Sequence, residues 1–386
     1  FQEIAFEVAK GLFGDDIPAD DLKTIVYDTL AFDAPLVEVT PDIYALELFH
    51  GPTLAFKDVG ARFMARMLRY FLAGKAEGKT VNVLVATSGD TGSAVANGFL
   101  GVDGIKVHVL YPKGKVSAIQ ECQFTTLGRN ITALEVDGTF DDCQALVKKA
   151  FLDEELNSKF LLTSANSINV ARFLPQAFYY FNAYAQLKRL GKENEMVVTV
   201  PSGNFGNLSA ALIAKRMGLP IKRFIAACNS NRPFPDYIES GVYSPCPSVA
   251  TIANAMDVGA PSNFARILDL YAGSHDAIAA EISSVSYSDA DIAETMKQCY
   301  RDTGYLLDPH GAVAFKATEA SLERGETGVF LETAHPAKFK STVDEILGTD
   351  IALPERLAAF TKGTKQSVAM TTSFADFAAY LNTAAR

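Results

Sequence analysis

The chain has 386 residues, 48% of them apolar and 21% charged, enough for two or three domain-sized units with substantial cores and without a biased tract that would argue for disorder. Thirty-five Lys and Arg against 45 Asp and Glu leave a net charge of −10, which excludes general nucleic-acid binding and requires any anionic ligand to be met by local positive charge. Five scattered cysteines without a CxxC exclude a disulfide framework and a zinc site, and no apolar run has transmembrane length.

Strands and helices alternate along the chain. Residues 57–72 (KDVGARFMARMLRYFL) have helical periodicity, with Val59, Phe63, Met67, Tyr70 and Phe71 on one side and Arg62, Arg66 and Arg69 on another. TVNVLVAT (80–87) reads as a buried strand, with a helix from about Thr91. Strands are then expected at 106–112, 130–136 and 160–165, with helices at 116–128 and 141–151 between them. Such alternation implies a parallel sheet with right-handed crossovers. A long helix is expected over 168–189, a strand at 195–203, a helix at 208–218 and a strand at 222–228. Residues 229–284 are less regular. A helix at 286–304, opened by the capping box Ser288-Asp289-Ala290-Asp291, one from about 311, and TGVFLETA (327–334) follow. Two α/β modules are expected: 77–165, and 1–76 together with 166–386. No signal peptide is visible, and the chain opens on Phe1 rather than Met; a cytoplasmic protein is the expectation.

Two glycine-rich turns follow strands and open helices. PSGNFGNLSA (201–210) places Gly203 and Gly206 where backbone approaches a ligand closely, at a helix N-terminus with exposed N–H groups. It is neither GxGxxG nor GxxxxGK[ST], so it fits a phosphate loop or a tight connection but not a dinucleotide or ATP loop. TSGDTGSA (87–94) is a second anion-ready turn, and two such turns suggest a ligand in a crevice at strand ends. Asp90 within it reads either as a helix cap or as an acceptor facing a ligand hydroxyl.

Lys57 follows the apolar run Leu54-Ala55-Phe56 and starts a helix, where burial and the helix dipole both lower a lysine pKa. A neutral amine attacks aldehydes, so a phosphate turn with such a lysine points to pyridoxal phosphate.

FHGPTLAFKDVGARFM (49–64), ATSGDTGSA (86–94), SANSINVARFLPQ (164–176), PSGNFGNL (201–208), DPHGAVA (308–314) and TAHPAKF (333–339), in this order, resemble the threonine synthase family, in its microbial and fungal branch. The resemblance runs from about residue 15 to 360 and lacks much of the family's region upstream of the lysine segment. It implies two doubly wound α/β domains of the fold-type-II, tryptophan-synthase-β-like architecture, with the active site in the cleft between them. It implies that O-phospho-L-homoserine and water become L-threonine and phosphate. Lys57 resembles the Schiff-base lysine, which also moves protons. Gly203, Asn204, Phe205, Gly206 and Asn207 match the cofactor-phosphate loop, and Thr333 the residue at the pyridine nitrogen. Ser88, Gly89, Thr91 and Gly92 match the turn that binds the substrate carboxylate, and Asp90 the position near the cofactor 3′-oxygen. A monomer is the family's expectation.

The substrate phosphate needs cations. Lys113, Lys115, Arg172 and Lys338 are candidates, with Asn166, Ser167 and Asn169 as further donors; for each the alternative is a surface charge or cap. Glu332 in a strand should point away from Thr333. His50 and His310 flank glycine turns and are read as structural or site residues. Asp308 and His310 form no triad with an identifiable serine, which argues against a hydrolase. Two rivals stand beside the synthase: a phospholyase releasing a keto acid and ammonia, and a non-catalytic phospho-ligand binder on the same fold.

Overall fold

The computed structural model describes residues 1–73 and 80–384. Its strands are β1 (Leu36–Thr40), β2 (Ile43–Glu47), β3 (Val81–Ala86), β4 (Ile105–Pro112), β5 (Ile131–Val136), β6 (Leu161–Ser164), β7 (Met196–Pro201), β8 (Arg223–Cys228), β9 (Ile282–Ser286), β10 (Thr327–Glu332) and β11 (Val368–Met370). They form two sheets, in two compact units: Phe1–Phe56 with Phe173–Ala352, and Lys57–Arg172 with Leu353–Arg386.

The first unit holds the six-stranded sheet, ordered β1-β2-β10-β7-β8-β9. Every pair is parallel except the β1–β2 hairpin. One face packs on the helices Asp289–Thr303 and Pro309–Ser321, through Ile292, Met296, Ala312, Val313 and Phe315. Ser288 and Asp291 form the expected capping box. Chain order reverses at the neighbours β7 and β10, where a parallel sheet opens a ligand crevice at strand C-termini.

The second unit holds β11-β5-β4-β3-β6, all parallel. Its division from the first differs from the sequence reading. The expected boundary at 76/77 lies outside the described residues. Helix Lys57–Leu72 groups with this unit because Ala61, Met64 and Ala65 share a core with Val83, Val95, Phe99 and Val107. The C-terminal segment joins it as well: β11 pairs with β5, and Phe377 and Leu381 complete the core under Leu110 and Leu146.

The helix expected over 168–189 is broken. A short turn Val170–Phe173 passes through a 3-10 segment, Leu174–Gln176, before the helix Ala177–Leu190. Pro175 has no N–H to continue the ladder. The irregular stretch 229–284 contains three short helices and β9, whose sequence ISSVS lacks the apolar signature of a strand.

Candidate active site

In the second unit, β3 ends at Ala86 and the helix Asp90–Phe99 begins four residues later. Thr87 builds the turn between them: its buried hydroxyl accepts the Gly89 N–H at 2.9 Å and the Gly92 N–H at 2.7 Å. Gly89 lies at φ 143°, and a Cβ there would meet the Gln120 amide at 2.5 Å, so only glycine fits. Thr87, Gly89, Asp90 and Gly92 are buried while Ser88 and Thr91 are half-buried, which leaves the latter two hydroxyls nearer the surface of the turn. Asp90 is the first residue of the helix rather than its cap, and its Oδ1 accepts from Gln120 Nε2 at 2.8 Å. Asn166 brackets the base of the turn, donating Nδ2 to Ala86 O at 2.8 Å and accepting the Ala86 N–H at 3.2 Å.

Lys57 is the first residue of its helix and half-buried. Gly60 lets the helix lie against the Arg172 backbone, since a Cβ there would stand 2.2 Å from Arg172 O. Arg172 is 2% exposed and donates to the Ala165 carbonyl. Burial lowers its pKa to about 10, against the support of Asp58, which is itself buried in the first turn of the Lys57 helix. Lys113 and Lys115 are exposed just beyond β4, Ser167 is half-buried, and Asn169 donates to Ser164 O at 3.0 Å.

In the first unit, the glycine loop leaves β7 and opens the helix Gly206–Arg216. Phe205 takes a left-handed conformation at φ 61°, unusual for a large side chain and costing about 1–2 kcal/mol. Its ring is fixed against Phe234, centroids 4.7 Å apart. Asn204 is held through Oδ1 by the Ser262 N–H at 2.6 Å and through its carbonyl by Asn263 Nδ2 at 2.8 Å. Asn207 turns its amide inward, donating to Pro201 O at 2.9 Å, and its carbonyl accepts from Tyr180 Oη at 2.8 Å. Gly203 packs on the backbone of Met256, where a Cβ would come within 2.7 Å of Cα. The loop is therefore a rigid bend that ends in the N–H groups of a helix's first turn, which have no intrahelical acceptor. Such N–H groups at a helix N-terminus are suited to an anion.

Thr333 follows β10, the neighbour of β7. Its carbonyl accepts the Phe56 N–H at 2.8 Å, and Ala55 bridges Ala334 beside it. Lys338 is fully buried and donates Nζ to Thr53 O at 2.8 Å, securing the Gly-Pro-Thr turn ahead of Lys57. Glu332 faces away from Thr333, toward the helix Pro309–Ser321: its Oε1 accepts the Asp308 N–H at 2.6 Å and its Oε2 lies over Gly311. Burial, reinforced by Asp308, pushes its carboxyl well above the ordinary range and favours the protonated form. His310 gives one ring nitrogen to Asp308 and receives the Ala255 N–H on the other, so no serine completes a triad. His50 pairs with Glu47 at 2.8 Å near the surface.

Three supports escaped the sequence reading. Thr87 stood inside the motif; Gln120 lies 30 residues from Asp90 and Tyr180 lies 27 from Asn207, with no local signal. In the first unit the donors fit the phosphate and ring of pyridoxal phosphate: a glycine loop that leaves β7 into a helix N-terminus, and a neutral hydroxyl just past the adjacent β10. In the second, Lys57 offers an amine at the first residue of a helix. Among the described residues no group of three His, Cys, Asp or Glu could hold a metal ion, and no helix is long and apolar enough to cross a membrane.

Comparison with known proteins agrees. Residues 27–333 match the pyridoxal-phosphate dependent enzyme family, and residues 311–380 the C-terminal domain of threonine synthase. Threonine synthase from Haemophilus influenzae is 48% identical over 375 residues, 97% of this chain and 87% of that protein. The crystal structure of threonine synthase from Escherichia coli superposes with a TM-score of 0.92 at 46% identity, covering 98% of this chain and 87% of that one. A pyridoxal-phosphate-bound threonine synthase from Brucella melitensis gives 0.91 at 36% identity, covering 100% and 89%. The fold is accordingly that of the fold-type-II enzymes, the cofactor is pyridoxal phosphate, and the activity is that of a lyase acting on a small molecule. The chain belongs to the pyridoxal-phosphate-dependent enzymes and, within them, to the threonine synthase family.

Proposed function

We propose that the chain's substrate is O-phospho-L-homoserine, converted with water into L-threonine and inorganic phosphate. The observation that supports this most directly is the adjacency of the Gly203 loop and Thr333 at the ends of β7 and β10, with Lys57 one residue beyond the Phe56–Thr333 hydrogen bond.

In this reading the amides of Gly206 and Asn207 take the cofactor phosphate, and Gly203, Asn204 and Phe205 shape the loop that presents them. Thr333 offers a neutral hydroxyl to the pyridine nitrogen, with Glu332 turned away. Such a partner stabilises a protonated ring less than a carboxylate would, which favours elimination and replacement over transamination. Asp90, oriented by Gln120, meets the 3′-oxygen side. Pyridoxal phosphate, when bound, supplies an electron sink for the carbon that bears the substrate amine.

The substrate α-carboxylate is held by the Ser88 and Thr91 hydroxyls and the backbone of Gly89 and Gly92. Lys57 Nζ takes the α-proton, serves the later transfers on the same face, and returns a proton to the α-carbon at the end. Lys113, Arg172 and Lys338 supply charge for the departing phosphate, with Asn166 and Ser167 as donors. A cytoplasmic monomer completes the reading, and the five cysteines, all free, suit a reducing compartment.

The test is product analysis. The enzyme loaded with pyridoxal phosphate is given O-phospho-L-homoserine, and the organic product is resolved alongside released phosphate. Threonine in step with phosphate is expected. A keto acid and ammonia in step with phosphate would make the chain a phospholyase, and no phosphate release would overturn the substrate assignment.

A further inference from the structure

Behind the first unit's strand ends runs a continuous chain of buried polar groups that the reaction above does not use. Glu332, the residue before Thr333, accepts the Asp308 N–H at 2.6 Å. The Asp308 carboxylate caps the helix Pro309–Ser321 through the His310 and Gly311 N–H groups and meets His310 Nδ1 at 2.5 Å. The Ala255 N–H donates to His310 Nε2 at 3.2 Å, which makes that nitrogen the acceptor and puts the ring proton on Nδ1, toward Asp308. Ala255 leads into Met256, whose Cα backs Gly203. The far end of the same segment is closed by Asp257, which accepts from Asn229 Nδ2 at 2.8 Å and from Thr251 Oγ1 at 2.7 Å. Asp308, His310 and Glu332 are each at most 2% exposed, and His310 also packs on Phe339.

The two ends of this chain are the two places assigned to the cofactor: Thr333 at the pyridine nitrogen and Gly203 at the phosphate. Pyridoxal phosphate is a rigid ring on a short arm, so its nitrogen and phosphorus lie a nearly fixed distance apart. A site that grips both must hold its strand end and its loop at a matching separation. Strands β7 and β10 fix their own spacing through the sheet. The loop beyond β7 is outside the sheet and needs a second support.

We propose that His310 is a positioning residue that sets the register of the Gly203–Asn207 loop against Thr333, through Asp308 on one ring nitrogen and the Ala255 amide on the other. The inference rests on the assignment of that loop and of Thr333 to the cofactor. His310 acts through the 255–256 backbone that the loop lies on. Replacing it should loosen the grip on the 5′-phosphate selectively.

The experiment compares two isosteres. His310→Asn keeps a polar group near the Nδ1 position and loses the acceptor for Ala255. His310→Gln keeps an oxygen near the Nε2 position and retains it. Apoenzymes are titrated with pyridoxal phosphate and with pyridoxal, which lacks the phosphate, following protein fluorescence and cofactor absorbance. His310→Asn should weaken pyridoxal phosphate binding about tenfold, the loss of one buried hydrogen bond, while pyridoxal binding changes little. His310→Gln should restore most of the difference. Should His310→Asn fail to fold, Asp308→Asn preserves volume, removes the charge that orients the ring, and carries the same expectation. Equal weakening for the two ligands, or unchanged affinity for pyridoxal phosphate, overturns the proposal. A control, Gly206→Val, crowds the first residue of the loop's helix; if it leaves pyridoxal phosphate affinity unchanged while His310→Asn lowers it, the loop assignment itself falls.

Discussion

Phe56 donates its backbone N–H to the Thr333 carbonyl at 2.8 Å, with Ala55 and Ala334 bridged antiparallel beside it. The chain is thus stitched to the end of β10 one residue before Lys57 begins its helix, and Tyr179 adds a second bond to the Phe56 carbonyl at 2.6 Å. The segment that leads into Lys57 is held through main-chain contacts at Ala55 and Phe56, which no side-chain replacement at 57 removes.

Lys57→Ala should therefore fold as the parent does and lose the chemistry. Removing the proton-transferring amine costs about 10²–10⁴-fold in turnover on its own account. Loss of the covalent link should also abolish the visible absorbance of lysine-bound cofactor. The two are read together, by absorbance after reconstitution and by threonine formation. Persisting turnover at the parent rate would remove Lys57 from the mechanism.

The left-handed Phe205 makes an unusual ranking testable. Truncating a buried aromatic costs about 3–5 kcal/mol. At φ 61° an alanine keeps the backbone strain that glycine does not have. Phe205→Gly should be more stable than Phe205→Ala by about 1 kcal/mol, the reverse of the order in a helix or strand. Urea or thermal melts of the two variants decide it, and an alanine variant as stable as the glycine one would show that the loop relaxes on truncation.

Glu332 carries a pH dependence of definite sign. Its folded carboxyl titrates well above its unfolded value, through burial and then Asp308. The native state therefore holds a proton that the unfolded chain releases above its ordinary carboxyl pKa. That stabilisation is complete at low pH and is lost as pH rises toward the folded pKa. Glu332→Gln has nothing to release. Its stability relative to the parent should improve with rising pH, by up to about 1.4 kcal/mol per pH unit above roughly pH 4.5. Denaturant titrations from pH 5 to 8 measure the slope, and parallel curves for the two proteins would place Glu332 in its charged form.

Much of the candidate site's local geometry was legible because its features lie close together in sequence. Thr87–Gly92 and Gly203–Asn207 each join a strand to a helix within a few residues, and their glycines mark the bends. What was not legible acts at long range or through the backbone. Lys338 and Arg172 read as candidate cations for a phosphate, with a solvated surface charge as the alternative; both are buried, and the structure adds bonds to the Thr53 and Ala165 carbonyls that no spacing announces. His310 meets a backbone amide 55 residues away. In the fold, β9 hides in a polar sequence, and the helix expected over 168–189 ignored Pro175. The C-terminal β11 is only three residues long and takes its place from β5 rather than from its own pattern.

Two helical glycines show how the same substitution changes sign with what surrounds it. Both Gly11 and Gly60 lie inside helices, where alanine is favoured by about 0.5–1 kcal/mol. A Cβ at Gly11 would sit 3.4 Å from the terminal methyl of Met217, a flexible neighbour that has room to give. Gly11→Ala should raise stability by roughly that propensity difference. A Cβ at Gly60 would stand 2.2 Å from the Arg172 carbonyl oxygen, and a backbone atom cannot rotate away. Forced separation costs about 1–3 kcal/mol, which outweighs the propensity gain. Because Gly60 is one turn from Lys57, the shift also moves the amine. Gly60→Ala should lower both stability and turnover, whereas Gly11→Ala should raise stability with turnover unchanged. Parallel melts and threonine assays of the two variants test the pair, and a stabilised Gly60→Ala enzyme would refute the close approach of this helix to Arg172.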